Sequence, residues 1–265
     1  MPSKGTQEGK ATPSEGTQEG KETPSEGTEA IAAIAETPPA KLTGIVLEEG
    51  SIFDPAKEAE KADVNALVPS ERGKSLARHR LHPDAESELC NAVNVAYGMS
   101  YTFHAMSLYF ARDDVALKGL SRFFMKRSND EREDALSLSK YLSRRGGRLK
   151  LKSVCEPRME YDDPVRGDAL MAMELTVAME KLEYEKYLAL VKLANDKEDM
   201  ELEDKITDEY LHPQVKLIKK HSEYVSQLRR VGKGEGTYLF DRILKNKMKG
   251  KPELHHVHPH ASPLA

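Results

Sequence analysis

The sequence predicts an all-α protein, a four-helix bundle followed by a short fifth helix. Four long stretches carry apolar residues at steps of three and four, the spacing of amphipathic helices. The second stretch ends at Gly146-Gly147, a strong helix stop, and residues 148–166 then show no helical period. Two helical hairpins joined by one long crossover are typical of a four-helix bundle. The absence of tryptophan and the 6% aromatic content also favour helices over sheets.

In chain order, the predicted helices run from about Asp84 to Ala111, from after Asp114 to Arg145, from Asp168 to Asn195, from the N-cap Asp199 to Arg230, and from Tyr238 to Met248. Pro213 should kink the fourth helix because it lacks a backbone N–H. The stripe that we expect the third helix to bury shares the helical step and consists of Leu170, Met173, Val177, Glu180, Tyr184, Leu188 and Val191.

Outside the bundle and its fifth helix, residues 83–248, the chain divides by composition. Residues 1–40 are of low complexity, and the eleven-residue segment 5–15 recurs almost unchanged as 16–26. With few large apolar groups, this segment is predicted to be disordered. Residues 41–82 form a distinct segment before the bundle. Residues 249–265 are predicted to be a disordered tail rich in histidine, which could bind transition metals.

Composition and charge exclude several classes of function. The 265 residues include 32% charged side chains, yet the net charge is only −4, which argues against a general nucleic-acid-binding protein. No apolar run approaches the roughly 18 residues that a membrane-spanning helix requires. We therefore expect neither nucleic acid nor membrane as a partner. Two cysteines, Cys90 and Cys155, are too few for a disulfide framework and indicate a reducing compartment.

Polar side chains interrupt the apolar stripes of three helices. Glu131 and Asp134 stand on the second helix, Glu180 on the third and Gln214 on the fourth. A buried carboxylate is costly unless it is protonated, paired or bound to a metal. If the helices align as their connectivity suggests, these groups meet inside one bundle, where an oxygen-rich cluster suits Fe(II).

The residues around Glu131, FF-x3-S-x2-ER-E-x-A followed by RRGGR, resemble the second helix of ferritin subunits. Further matches lie at 109–119, 173–181 and 223–232, and residues 41–82 resemble the extension segment of plant-type ferritins. The resemblance implies a ferritin-like four-helix bundle that assembles into a hollow shell of twenty-four subunits, of one type or mixed, and stores ferric iron as mineral. It also implies a plastid location. Cytoplasm is the alternative, because the N-terminus lacks the composition of a transit peptide.

The resemblance also implies a two-iron oxidation centre, which matches this chain in part. The bridging glutamate of the family falls on Glu131, the third-helix glutamate on Glu180 and the glutamine of the fourth helix on Gln214. The first-helix glutamate, however, falls on Ala96, and the histidine falls on Asp134. One iron position thus loses two of its usual ligands, and we predict impaired oxidation of Fe(II).

Two alternatives remain open for this centre. The carboxylates could form only a buried polar network, paired with a cation such as Arg127. The chain could instead be a working ferroxidase, oxidising Fe(II) with dioxygen and using Asp134 in place of the histidine. The tyrosine that neighbours the centre in the family falls on Phe103, which removes an oxidisable group.

Three further acids match iron-handling positions of the family. Asp130 and Glu133 fall where acids line the inner cavity and gather ferric ions, although Lys126 thins this patch. Asp204 matches an acid of the three-fold entry channel. A solvated charged face and the helix dipole are the structural alternatives. The repeats in residues 1–40 suggest a third function, a protective protein of the desiccation type.

Overall fold

The computed structural model describes residues 68–69 and 71–249. In these residues the chain forms α1 (Pro83–Ala111), α2 (Lys118–Arg144), α3 (Asp168–Asp196), α4 (Met200–Ile206), a π-helical segment (Thr207–Leu211), α5 (His212–Val231) and α6 (Glu235–Lys249). The described residues contain no strand, and none of their helices is long and apolar enough to cross a membrane. The all-α prediction is confirmed. The segments predicted at 1–40, most of 41–82 and 250–265 lie outside the described residues.

The helices pair as the connectivity predicts. α1 packs along α2, and α3 packs along α4 and α5, while α1 also contacts α3 and α6 packs against α2. Residues 145–167 cross between the hairpins without helix. Two apolar clusters fill the bundle, one around Leu89, Leu138 and Leu190, the other around Phe110 and Phe124. Along α2, α3 and α5 the polar positions fall between these clusters, which places a polar layer in the middle of the core.

The fourth predicted helix stays helical from Met200 to Val231 but is not uniform in its turns. Pro213 is the second residue of α5, where its missing N–H is tolerated. The π-helical segment Thr207–Leu211 comes directly before it, and the backbone of Leu211 and His212 stays in the right-handed helical region. The turn before the proline is therefore widened, and the helix is not broken there.

The sequence predicted the wrong buried face for α3. Of the predicted stripe only Met173 and Glu180 are buried, whereas Val177, Tyr184 and Leu188 are only partly covered. The face that the core covers shares small or polar side chains and consists of Ala169, Ala172, Met173, Thr176, Glu180, Glu183, Tyr187, Leu190 and Ala194. Large apolar side chains guided the prediction, but small ones let the neighbouring helices approach this face.

The fifth predicted helix begins three residues earlier than expected, at Glu235. Gly234 has φ 76°, a left-handed conformation that suits glycine and ends the preceding turn. Gly236 lies inside α6, where a Cβ atom would come within 2.3 Å of the Val231 carbonyl oxygen. Glycine is present there because two helices approach closely, and it does not stop the helix.

Candidate metal centre

The polar layer of the bundle is built from three helices. The buried polar residues of this layer are Arg127, Ser128 and Glu131 on α2, Thr176, Glu180 and Glu183 on α3, and Gln214 and His221 on α5. Spacings of three, four and seven residues keep the side chains of each helix on one face. The structure therefore brings together Glu131, Glu180 and Gln214, the three residues that match the ferritin centre.

A guanidinium group lies among the carboxylates. Arg127 pairs with Glu131 one turn along α2, and its Nη2 is 3.4 Å from Oε1 of Glu180. Its Cζ also lies 5.4 Å from the centre of the Phe103 ring, a cation–π contact. Burial lowers the pKa of Arg127, but the carboxylates of Glu131 and Glu180 outweigh it and raise the pKa above its ordinary value. Arg127 is therefore a permanent buried cation.

Glu180 has a second partner on α5. Nδ1 of His221 is 2.6 Å from Oε1 of Glu180, and neither side chain is exposed to solvent. Burial lowers the pKa of His221. The neutral ring donates its Nδ1 proton to Glu180 and meets the Phe123 ring edge-on at 5.2 Å. One oxygen of Glu180 thus accepts from the imidazole and also faces the guanidinium of Arg127.

Glu183 forms the other half of the polar layer. The amide nitrogen of Gln214 donates to Oε2 of Glu183 and to the backbone carbonyl of Glu180, both at 3.1 Å. The hydroxyl of Tyr187 donates to the other Glu183 oxygen, also at 3.1 Å. Burial and the negative charge of Glu131 raise the pKa of Glu183 well above its usual range. Both oxygens of Glu183 thus accept hydrogen bonds inside the same layer.

Asp134, at the position of the family's histidine, lies at the edge of this layer. Its side chain is partly buried. Burial and the nearby charge of Glu131 raise its pKa to about 8. At neutral pH Asp134 is therefore mostly uncharged, and it must lose a proton before it can bind a metal ion strongly. Glu131 itself has a pKa raised by burial and opposed by the charge of Arg127.

Two members of the layer were missed as functional residues from the sequence. Glu183 lies three residues after Glu180, a spacing that places both on one helix face, but the rotated α3 stripe left it out. His221 lies seven residues after Gln214, on the same face of the fourth helix, and had been given no role. A search for every polar residue on a buried stripe would have found His221.

Comparisons with known proteins agree with this fold. A family model described as a ferritin-like domain matches residues 86–231. The chain is 49% identical over 195 residues to "Ferritin-3, chloroplastic" of Arabidopsis thaliana, covering 74% of each chain. The chain belongs to the ferritin family. It is also 46% identical to "Ferritin-1, chloroplastic" of Nicotiana tabacum, over 75% of this chain and 78% of that relative.

A solved structure supports the same assignment. The crystal structure of ferritin from the multicellular green alga Ulva pertusa matches with a TM-score of 0.71 and 40% identity, covering 74% of this chain and all of that one. The resemblance inferred from the motifs around Glu131 is thus confirmed. So is the expectation that the relatives belong to the plant-type, chloroplastic branch.

The centre of this ferritin differs from a site that would accept two iron ions. Among the described residues, no group of three or more His, Cys, Asp and Glu side chains is arranged to hold a metal ion. Arg127 stands where a cation would contact Glu131 and Glu180. Ala96 is fully buried on α1 and supplies no ligand atom. The residues present do not fit the two-iron arrangement.

The other predicted iron-handling acids lie outside the buried layer. Asp130 is partly exposed, and its carboxylate pairs with Lys126 at 2.9 Å. Glu133, on the next turn of α2, is exposed, as is Asp204 on α4. The ion pair with Lys126 reduces the charge that Asp130 can offer to ferric ions, while the exposure of Glu133 and Asp204 fits contact with solvent ions.

Proposed function

We propose that this ferritin chain is an iron-storage subunit of a hollow shell and that its own Fe(II) oxidation is impaired. The observation that carries the proposal is the ion pairing of Arg127 with Glu131 and Glu180 inside the bundle. Iron is the cargo and the substrate, and the guanidinium already pairs with one oxygen of each of the two carboxylates that a divalent ion would use.

Displacing Arg127 is costly. A buried charge that loses its partner is destabilised by several kcal/mol, about 3–5 in measured cases. Two other ligand positions add to the effect, since Ala96 offers no carboxylate and Asp134 is mostly protonated at neutral pH. Fe(II) would therefore compete with a resident cation and receive few ligands in return.

Storage does not require this centre to be intact. We propose that the shell contains this chain alone or mixed with subunits whose oxidation centre is complete, and that ferric iron accumulates inside as mineral. The chloroplastic names of the relatives support the plastid as its compartment. Asp204 is proposed to attract iron at an entry channel, and Asp130 and Glu133 to collect it at the inner surface, all three from their match to the family.

Aerobic oxidation of Fe(II) tests the impairment. The purified shell should oxidise Fe(II) at a rate near that of buffer. The Ala96→Glu, Asp134→His variant restores the missing ligands but keeps Arg127, and should recover little. The triple variant, which also carries Arg127→Gln, should oxidise Fe(II) well above the rates of the unmodified shell and of the double variant. Arg132→Gln, an exposed arginine on the same helix, is the matched control.

The outcomes separate the competing functions. A fast rate in the unmodified shell would overturn the proposed impairment and make Asp134 a working ligand. Storage is tested separately, by co-assembly with an intact ferritin subunit and measurement of the iron that stays with the shell on gel filtration. A mixed shell that keeps no more iron than its intact subunits account for would contradict the storage role.

A further inference from the structure

Two buried tyrosines lie beside the polar layer and have no part in the proposed function. Tyr187 on α3 and Tyr210 in the π-helical segment are each only 3% exposed. Their ring centres lie 5.1 Å apart, with an angle of 40° between the ring planes. Tyr210 belongs to the widened turn Thr207–Leu211, and π-helical turns are rare and frequently lie at functional sites. The two phenols are therefore a candidate site of their own.

The hydroxyl groups of the two tyrosines have different surroundings. Tyr187 donates a hydrogen bond to Oε1 of Glu183 at 3.1 Å, and the amide of Gln214 holds the other carboxyl oxygen in place. The hydroxyl of Tyr210 is buried and makes no hydrogen bond of good geometry within the described part of the chain. The neighbouring Ser137 offers it only a hydroxyl, which is a poor base. Of this pair, Tyr187 is thus the phenol with a proton acceptor.

A phenol with a bound proton acceptor is suited to give up one electron. Loss of an electron turns a phenol into a very strong acid, so its proton must leave at the same moment. Burial raises the pKa of Tyr187 well above its usual range, and the charge of Glu183 raises it further. The phenol is therefore neutral in the folded chain. Negative charge beside the ring also favours removal of an electron.

We propose that Tyr187 is a one-electron donor that traps strong oxidants, and that Glu183 takes up its phenolic proton. The electron passes to the oxidant, the O–H bond of Tyr187 breaks, and an O–H bond forms at Oε1 of Glu183. A hydroxyl radical, the class of oxidant that Fe(II) and peroxide generate, gains this electron and a proton from solvent and becomes water. A neutral phenoxyl radical remains on Tyr187, against the ring of Tyr210. This activity goes beyond iron storage and does not depend on it.

Tyr141 shows why a carboxylate partner alone is not sufficient. Its hydroxyl also donates to a carboxylate, that of the exposed Glu201. The same hydroxyl accepts from Nη1 of Arg145 at 2.6 Å, and the guanidinium carbon lies 5.7 Å from the ring centre. A positive charge at this distance opposes the removal of an electron. Tyr187 contacts a carboxyl group and an aromatic ring instead.

The test oxidises the assembled, full-length protein without iron. Tris(bipyridine)ruthenium(III), generated by light with a cobalt(III) ammine as the electron acceptor, removes single electrons from phenols. Samples are frozen after a short delay, in which exposed phenoxyl radicals couple with one another. Electron paramagnetic resonance then counts the spins that remain. The unmodified chain is compared with Tyr187→Phe, Tyr210→Phe, Glu183→Gln and Tyr224→Phe.

Tyr224→Phe is the matched control, because Tyr224 is also buried but contacts aromatic rings and the ammonium group of Lys247. The unmodified chain and this control should keep a tyrosyl signal after the delay. Tyr187→Phe should lose more than half of the spins. Glu183→Gln should lose as many, because an amide does not take up the proton. Tyr210→Phe should keep most of the signal, because the radical resides on Tyr187.

Several outcomes would overturn the inference. One is a Tyr187→Phe protein that keeps as many spins as the Tyr224→Phe control. Another is an unmodified protein without any radical after the delay, and a third is a signal that disappears in Tyr210→Phe and not in Tyr187→Phe. A full signal in Glu183→Gln would show that Glu183 does not take up the proton. Because no iron is used, failure of the storage role would leave these results unchanged.

A second measurement covers the case in which Tyr187→Phe does not assemble. Tyr187 is replaced by difluorotyrosine, which keeps the ring and the hydroxyl group. Fluorine nuclei on the ring split the resonance signal only when the unpaired electron resides on that ring. We expect this splitting with the label at position 187 and an unsplit signal with the label at position 224. An unsplit signal with the label at position 187 would refute the inference.

Discussion

The carboxylate of Asp241 on α6 accepts a hydrogen bond from the backbone N–H of Leu120, 2.8 Å away, at the start of α2. The residue before α2, Leu117, offers no side-chain cap, so the first turn of this helix would otherwise leave its N–H groups unpaired. Asp241 is buried, and its hydrogen bonds to the Gly119 and Leu120 amides oppose the rise in its pKa that burial causes. The short last helix thus supplies the N-terminal cap of the second.

We predict that Asp241→Ala loosens both helices at this contact. Loss of an N-terminal cap costs about 1 kcal/mol, so hydrogen exchange should speed up in residues 117–124 and 235–249 together. Asp241→Asn keeps an oxygen acceptor, so its hydrogen-exchange rates should lie between those of the unmodified chain and those of Asp241→Ala. Asn246→Ala, at an exposed position of the same helix, is the control and should leave exchange in 117–124 unchanged. Faster exchange in α6 alone would show that the cap contributes nothing to α2.

A second prediction concerns the space at the same contact. A Cβ atom on Gly119 would lie 2.1 Å from the carbonyl oxygen of Asp241, which is backbone and cannot turn aside. Gly119→Ala should therefore push α6 away and lower stability by about 1–3 kcal/mol. Gly98→Ala in α1 is the matched control, because no atom lies within 4 Å of its Cβ position and alanine favours helix by about 0.5–1 kcal/mol. Thermal midpoints of the two variants should move in opposite directions.

The third prediction is that the polar layer depends on Arg127 for stability. Arg127→Met leaves the carboxylates of Glu131 and Glu180 buried without a cation, and we expect a loss of about 3–5 kcal/mol. Combining it with Glu131→Gln and Glu180→Gln removes the unpaired charges and should recover most of the loss. Arg132→Met on the exposed face should change stability by no more than about 0.5 kcal/mol. Denaturant unfolding gives the free energy of unfolding of each variant. If Arg127→Met alone were as stable as Arg132→Met, the prediction would be contradicted.

Much of the fold was predictable from local signals. Gly146-Gly147 marked the end of α2, and the missing helical period of apolar residues after it marked the crossover. Both signals lie in short stretches of chain, so the sequence alone shows them. The rotation of α3 was not predictable in this way. Which face of a helix is buried depends on its neighbours, and there the small side chain of Ala172 is fully buried while the larger Val177 is only partly covered.

The candidate site was predictable only to the level of its carboxylates. Glu131, Glu180 and Gln214 could be placed because polar residues on a buried stripe are costly and therefore informative. The pairing of Arg127 with Glu180 joins two helices, and no spacing along the chain specifies it. The contact of His221 with Glu180 likewise depends on how α5 packs against α3. Contacts between helices required the structure.

The last prediction follows from the charge state of Asp134. Burial raises its pKa from 3.8 to about 8, with a further contribution from the charge of Glu131. Between these two pH values the folded chain holds a proton that the unfolded chain has released. The contribution of Asp134 to stability is therefore complete below pH 4, falls as the pH rises toward about 8, and is lost above it.

Asp134→Asn cannot release a proton, so it should lack this dependence. We expect the thermal midpoint of the variant, relative to the unmodified shell, to rise between pH 5 and about pH 8 and then to level off. Each unit of pKa difference corresponds to about 1.4 kcal/mol before solvent screening reduces it. Asp113→Asn, at an exposed position in the turn after α1, is the control and should show a constant difference. A flat difference for Asp134→Asn as well would mean that its carboxyl is ionised in the folded chain at neutral pH, and Asp134 would then be available as an anionic metal ligand.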